Sequence, residues 1–351
     1  MAGILLADRV EVREQSEGSR LYTRGNFGYP RSGGGVDLDL VEAAYLVECR
    51  RLEVVTPEGD PVHFEDILCL AAVEFEGFDI KYMVYRDLRN RGFVVKVESG
   101  DYDISVFPRG KTMSNSRPEF MVRAVSERNA VGISGLVRQV SDVSERRKKL
   151  LYGVVDEEGD LTYYTLDLRD PSGRVYPEPM SVKPVGRLVR DRVFVFDRSH
   201  AEALRDYGFY GKSMTEALQL SLIESVHLMG KGRLVVLGQD DQPMTFDDLM
   251  EFGERVQDEF RIRYLVYSDL RERGLVVKTG FKYGTHFRVY QTSPDDSHAR
   301  YLVHAVTEDG LRMWPEISRT VRLSGGVKKE ILFGLVRRNR VEYLEFKWFK
   351  P

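Results

Sequence analysis

Apolar residues recur along the chain with two different periods. In the segments around 38–48 (LDLVEAAYLVE) and 220–229 (LSLIESVHLM) they fall three and four apart, the spacing that buries one face of a helix. Thr245, with Asp248 three residues later, forms a capping box that opens another helix. YLVYSDLRER then places Tyr264, Tyr267, Leu270 and Arg271 on one helical face, and Gly274 stands where a C′ residue ends a helix. Beyond that glycine the period shortens. LVVKTG, HFRVYQ and YLVHAV are brief, β-branched or aromatic, and separated by polar turns, which predicts strands. ISRTVRLSGG predicts one more helix, broken by Gly325 and Gly326, and KEILFGLV with VEYLEFKW predicts a closing pair of strands.

The pattern is written twice. YMVYRDLRNRGFVVK at 82–96 returns as YLVYSDLRERGLVVK at 264–278, with eleven of fifteen positions identical. At the same offset of 182, LDLVEAAYL faces LSLIESVHL and PVHFEDIL (61–68) faces PMTFDDLM (243–250). FMVRAV (120–125) answers YLVHAV (301–306), and KKLLYG (148–153) answers KEILFG (329–334), both at an offset of 181. Each copy is too large for a solenoid repeat and large enough to fold as its own unit. The fold class is therefore α/β (α+β) in tandem duplication, each copy a small N-terminal region followed by a mixed-sheet domain. We divide the chain at 1–60 and 61–168 for the first copy and 187–240 and 241–351 for the second. Between them, DLRDPSGRVYPEPMSVKPVG at 167–186 supplies prolines and glycines that oppose regular structure, and we read 169–186 as a linker.

Composition narrows the class without naming a function. The chain has 351 residues, 42% hydrophobic and 30% charged, and no run approaches the roughly 18 apolar residues of a membrane span. Cys49 and Cys69, the two cysteines, lack the spacing of a zinc site or a disulfide framework. The N-terminus has too short an apolar run for a secretory signal, so a cytoplasmic protein is expected, with no membrane partner and no cofactor. The net charge of −3 hides an asymmetry: residues 312–351 hold ten Lys or Arg against four Glu.

Duplication lets one copy drift, so positions where the copies disagree in titratable residues are informative. His298 faces Arg117 and Tyr290 faces Phe107, whereas Lys329 is matched by Lys148. A histidine cation can protonate a leaving oxygen, a tyrosine oxygen beside a cation can accept a proton, and a lysine can hold charge that accumulates on a phosphorane. Such a set fits RNA cleavage in which the ribose 2′-OH attacks the adjacent phosphate. Taken singly, each has a plainer reading: Tyr290 as core or rim, and Lys329 as a solvated surface residue.

The signature YLVYSDLRERGLVVKTGFKYGTHFRVY, followed by HARYLVHAV and RLSGGVKKEILFG, closely resembles the catalytic subunits of the archaeal tRNA-splicing endonucleases, relatives of the eukaryotic splicing endonuclease. The resemblance covers most of 200–351 and, more weakly, 20–166. Two copies in one chain resemble the homodimeric class, with a degenerate first copy and an active second one. The resemblance implies a general base at Tyr290, a general acid at His298, a stabilising cation at Lys329, and precursor tRNA as substrate. It also implies that Arg322 stacks on a flipped bulge nucleotide with a second arginine from the closing strands, for which Arg337, Arg338 and Arg340 are the candidates. The acidic run Asp156, Glu157, Glu158 and Asp160 reads either as a solvated hairpin tip or, by the resemblance, as a loop inserted beside the catalytic copy of a second subunit. Two departures stand out: Tyr283-Gly284 in place of Phe-Gly adds a decoy tyrosine, and Ser324-Gly325-Gly326 in place of His-Ser loosens the turn that aims Lys329.

His286, His304 and His227 read as structural. Glu345 and Lys347 imitate half of a metal-dependent nuclease site without a partner aspartate, so no metal is expected. Two alternatives stay open: a metal-dependent DNA nuclease of similar architecture, and a noncatalytic RNA-binding or assembly subunit.

Overall fold

In a computed structural model, which describes residues 2–176 and 178–351, each copy folds as an N-terminal sheet with its helices followed by a nuclease-like sheet flanked by helices. The two N-terminal helices begin slightly later than the periodicity predicts, at Leu40–Glu48 and Leu222–Gly230. The residues before them, Asp39 and Ser221, are extended N-caps at the ends of the strands Val36–Asp39 and Leu218–Ser221, and their side chains accept backbone N–H groups of the first turn.

Glu42 and Glu224 complete these capping boxes and are buried. Each also accepts the backbone N–H of a glycine, Gly28 or Gly211, at 3.0 Å. Each faces a lysine from the nuclease-like sheet, Lys96 at 4.0 Å and Lys278 at 3.2 Å. The same buried carboxylate thus ties the N-terminal region to the strand Val95–Val97 in one copy and Val276–Thr279 in the other.

Three domain boundaries move, the first at the linker's start, since Arg169 still belongs to the strand Leu161–Arg169. Pro61–Val62 pairs with Val54–Val55, so the first N-terminal sheet extends past residue 60. Val185–Val189 is already a strand of the second N-terminal sheet, pairing with Val235–Leu237, so the linker ends at 184 and not at 186.

The nuclease-like sheets join. The last strand of the first copy, Leu161–Arg169, pairs antiparallel with the last strand of the second, Arg340–Phe349, from Tyr163 opposite Phe349 to Arg169 opposite Tyr343. The result is one ten-stranded sheet running through both copies. The helices Phe78–Asn90 and Phe260–Glu272 pack on one face. On the other face, Ile133–Glu145 and Trp314–Gly326 meet over a core drawn from both copies. Trp314, fully buried, lies 5.0 Å from the Tyr152 ring and 6.0 Å from that of Tyr164, both in the other copy. Truncating such a side chain costs roughly 3–5 kcal/mol, so this contact fixes the copies to one another.

The signature helix ends as its sequence predicts. Tyr267 and Leu270 are buried, Tyr264 and Arg271 are half-buried, and Gly274 follows with φ +74°. Trp314–Gly326 does not break at its glycines: both stay helical, and the left-handed residue is Lys328 at φ +54°. Lys329 N–H then donates to Ser324 O at 2.9 Å. The first copy turns identically through Arg147, φ +56°, with Lys148 N–H on Val143 O at 3.0 Å. The turn leading to Lys329 is therefore as well tied as that of its counterpart, despite the Ser-Gly-Gly sequence.

Candidate active site

Strand register collects the three differing or matched positions at one end of the second sheet. Val289 lies opposite Tyr301, and Tyr301 opposite Glu330. The preceding row therefore contains Tyr290, Arg300 and Lys329: Arg300 N–H donates to Val289 O at 2.9 Å, and Glu330 N–H to Arg300 O at 3.0 Å. Adjacent strands lie ~4.8 Å apart, which sets the Tyr290 and Lys329 backbones roughly 10 Å from each other. His298 is two residues before Arg300, in the loop that closes the same end. Arg300 itself is compensated, donating to Glu330 Oε1 and Gln291 Oε1 at 3.0 Å each.

The side chains meet different surroundings. Tyr290 is 7% exposed and packs with Val276, Ala299, Val175 and Phe209. His298 is exposed on a groove of ≈400 Å³. Lys329 is half-buried, its Nζ 5.8 Å from the centre of the Tyr283 ring. Tyr283, a decoy by sequence, thus adjoins the amine, brought there by the short turn Phe281–Tyr283 that no local pattern announced. In the first copy Phe107 N–H bonds Val94 O, which puts Phe107 at the position of Tyr290. There the Lys148 amine turns onto Met121 Sδ at 3.4 Å.

Comparison with known proteins identifies the family. The tRNA intron endonuclease catalytic C-terminal domain matches residues 78–163 and again 260–343, and the N-terminal domain of the same enzymes matches 1–68 and 185–250. The chain belongs to the tRNA intron endonuclease family. It is 37% identical to the tRNA-splicing endonuclease of Methanosarcina mazei over 97% of its length and 96% of that protein. It is similarly related to that of Methanosarcina acetivorans, 37% identical with 99% of both chains covered, and to that of Halobacterium salinarum, 34% identical with 95% and 94% covered.

Within this family member the arginines separate. Arg322 is exposed on the last turns of Trp314–Gly326 and lines a groove of ≈480 Å³ with Arg319. Arg337, Arg338 and Arg340 form the opposite end of the strand that starts beside Lys329, roughly 23 Å away at ~3.3 Å per residue. Arg338 and Asn339, both at positive φ, make the tight hairpin turn there, and Arg337 is paired with Glu308 at 2.9 Å. The structure therefore does not bring these three to the Lys329 end.

The first-copy hairpin tip faces Arg319 and Arg322 within the same chain, since Asp156 and Asp160 line their groove. Asp156 accepts the N–H groups of Glu158 and Asp160 and so shapes the turn, and Glu157 pairs with Arg128. Glu158 and Asp160 are exposed. The buried histidines are held neutral. Burial pushes His286 and His304 down to about 4, and the Nδ1 of His286 accepts Ala305 N–H at 3.0 Å. Glu345 is buried beside Arg169 at 3.5 Å, and among the described residues no three His, Cys, Asp or Glu side chains group as metal ligands. Among the described residues no helix is long and apolar enough to cross a membrane.

Proposed function

We propose that the chain excises introns from precursor tRNA, cutting at bulge-helix-bulge-like sites without a metal. The Tyr290 oxygen takes the 2′-OH proton as the 2′-oxygen bonds to the adjacent phosphorus. The bond to the 5′-oxygen breaks as His298 supplies that oxygen with a proton, and Lys329 holds the charge gathered on the nonbridging oxygens. The products are a 2′,3′-cyclic phosphate and a 5′-OH. The observation that carries this reading is the row of Tyr290 and Lys329 with His298 beside it, where the first copy has Phe107 and Arg117.

Since each chain has one such row and an intron has two ends, we read the active species as a homodimer. Among the described residues, Glu158 at the hairpin tip has no ion pair and lies outside the Arg319 groove, and we read it as the acid that meets a partner; Arg322, exposed beside that groove, supports a role in stacking on an unpaired base.

The test is a bulged precursor RNA incubated with the protein in excess chelator, followed by end-group analysis. Cyclic phosphate ends, abolished by a 2′-deoxy substitution at the cut, are expected. His298→Ala should slow cleavage by about 10²- to 10⁴-fold, the usual contribution of a general acid. Chelator-sensitive cutting that ignores the 2′-OH would overturn the mechanism in favour of a metal-dependent nuclease, and full activity in His298→Ala would remove the histidine from it.

A further inference from the structure

The segment joining the copies is docked on the second copy rather than strung between the two. Gly173 N–H donates to Arg273 O at 2.9 Å, Arg174 N–H to Gln291 O at 2.8 Å, and Val175 N–H to Gly274 O at 2.9 Å. Gln291 Nε2 returns a bond to Ser172 O at 2.9 Å, Tyr176 OH donates to Arg273 O at 3.2 Å, and Asp170 pairs with Arg273. The fit is close. A Cβ at Gly173 would collide with the Gly274 carbonyl, and one at Gly274 would lie 2.6 Å from the Tyr176 ring.

This docking sets two side chains against the candidate site. Val175 packs on Tyr290. Arg174 lines the groove that holds His298, with Gln291, Thr292, Ser297 and Arg300. Among the described residues no acidic side chain lines that groove. Arg300 spends its charge on Glu330, whereas the Arg174 side chain is exposed and, among the described residues, no carboxylate pairs with it. An uncompensated guanidinium on a fixed backbone beside an exposed imidazole, with amide and hydroxyl groups around them, suits the nonbridging oxygens of a phosphodiester.

We propose that the linker is part of the substrate-binding surface, with Arg174 binding a backbone phosphate of the RNA strand next to the linkage that is cut. This rests on the function proposed above. The role is binding and positioning, not proton transfer.

The experiment compares wild type, Arg174→Ala, Arg174→Lys and His298→Ala, using a bulged RNA with a 2′-deoxy block at the cut for affinity and the unblocked RNA for single-turnover cleavage. For Arg174→Ala we expect about 5- to 20-fold weaker binding at low salt. The slope of log affinity against log salt should fall by about 0.7 to 0.9, the release of one phosphate contact. The rate at saturating enzyme should stay within about threefold of wild type, and the melting temperature should not change. Arg174→Lys should restore most of the salt slope. An Arg174→Ala protein with wild-type affinity and salt slope overturns the proposal. So does one whose losses track a lowered melting temperature and are not rescued by lysine. If the wild type cuts and His298→Ala does not, either result sinks the linker role alone; a wild type that neither binds nor cuts sinks the proposed function, and this inference with it.

Discussion

Glu224→Gln tests whether the buried carboxylate clamps the N-terminal region to the catalytic sheet. Glu224 accepts the N–H groups of Gly211 and Ser221 and the Ser221 hydroxyl at 3.0 Å each, and meets the Lys278 ammonium at 3.2 Å. At an effective dielectric near 20 the Coulomb attraction at that distance is ~5 kcal/mol, offset by the desolvation of both ions. Removing one partner of such a pair costs roughly 3–5 kcal/mol, because the other charge is left buried and unpaired. The Lys278 side chain keeps 18% of its exposure and a bond to Gly211 O, so water and that carbonyl repay part of the loss. We expect ~3 kcal/mol, the lower end of that range.

Urea unfolding followed by circular dichroism measures it, and Glu224→Gln/Lys278→Met should recover at least half of the loss by removing the stranded ammonium. A single variant within ~0.5 kcal/mol of wild type, the scatter of an ordinary surface change, would refute the clamp. So would a double variant no better than the single one. The acid limb supplies a second check. Burial pushes the Glu224 carboxyl up, but Lys278, the Ser221 and Gly211 N–H groups and the Ser221 hydroxyl outweigh it and hold it below the usual carboxylate range. Its contribution is therefore full above the unfolded value of about 4.3 and is lost as pH falls through the folded one, a loss Glu224→Gln should not show. Glu42 has the opposite sign. Burial raises it and wins, because Lys96 stands further off at 4.0 Å and the N-cap beside it is the acidic Asp39.

Three further outcomes follow from particular contacts. Burial, with Arg271 and Lys231 nearby, pushes His227 down to about 3; the unfolded chain takes up that proton first, so stability falls as pH drops below ~6.5, by at most ~1.4 kcal/mol per unit. His227→Tyr, the residue the first copy carries at Tyr45, should flatten that fall in unfolding measured from pH 6.5 to 4, and an unchanged slope would count against the assignment. Gly173→Ala, which collides with the Gly274 carbonyl, should free the linker and weaken RNA binding several-fold with little change in overall unfolding; wild-type affinity would show that docking is dispensable. Thr165→Pro, in the strand pairing both Leu151 and Lys347, removes a ladder bond and should cost ~3 kcal/mol or more, read as a lowered urea midpoint.

Local signals announced the local structure. The capping box at Thr245, the Gly274 C′ position and the strands after it all depend on residues within a few positions of one another, and each forms where the pattern put it. What escaped was set by contacts with no local signature. Pairing of 161–169 with 340–349 joins segments about 180 residues apart, and nothing in either strand names its neighbour. Among the described residues of 170–184 the linker's prolines and glycines correctly argued against helix and strand, but said nothing about backbone groups bonding to Arg273, Gly274 and Gln291. Gly325 and Gly326 are permitted the left-handed region without being obliged to use it, and Lys328 uses it instead.

The antiparallel joining of the two last strands also explains how a chain of net charge −3 presents a basic end. Because Tyr163 lies opposite Phe349 and Ile331 opposite Phe346, the acidic tip of the first copy sits at the end of the sheet where the second copy begins its Lys329 strand. The basic tip, Arg337 to Arg340, is carried to the other end of the sheet. The acidic tip therefore lies alongside the copy to which it does not belong. At the Lys329 end the acids meet Arg319 and Arg322 across a groove, so the cations around the candidate site are partly balanced in cis, while Arg174 on the linker is not. The polarity along the sheet follows from the opposite charges of two equivalent hairpin turns. On the proposed mechanism, the single centre follows from Phe107 and Arg117 standing where the second copy has Tyr290 and His298.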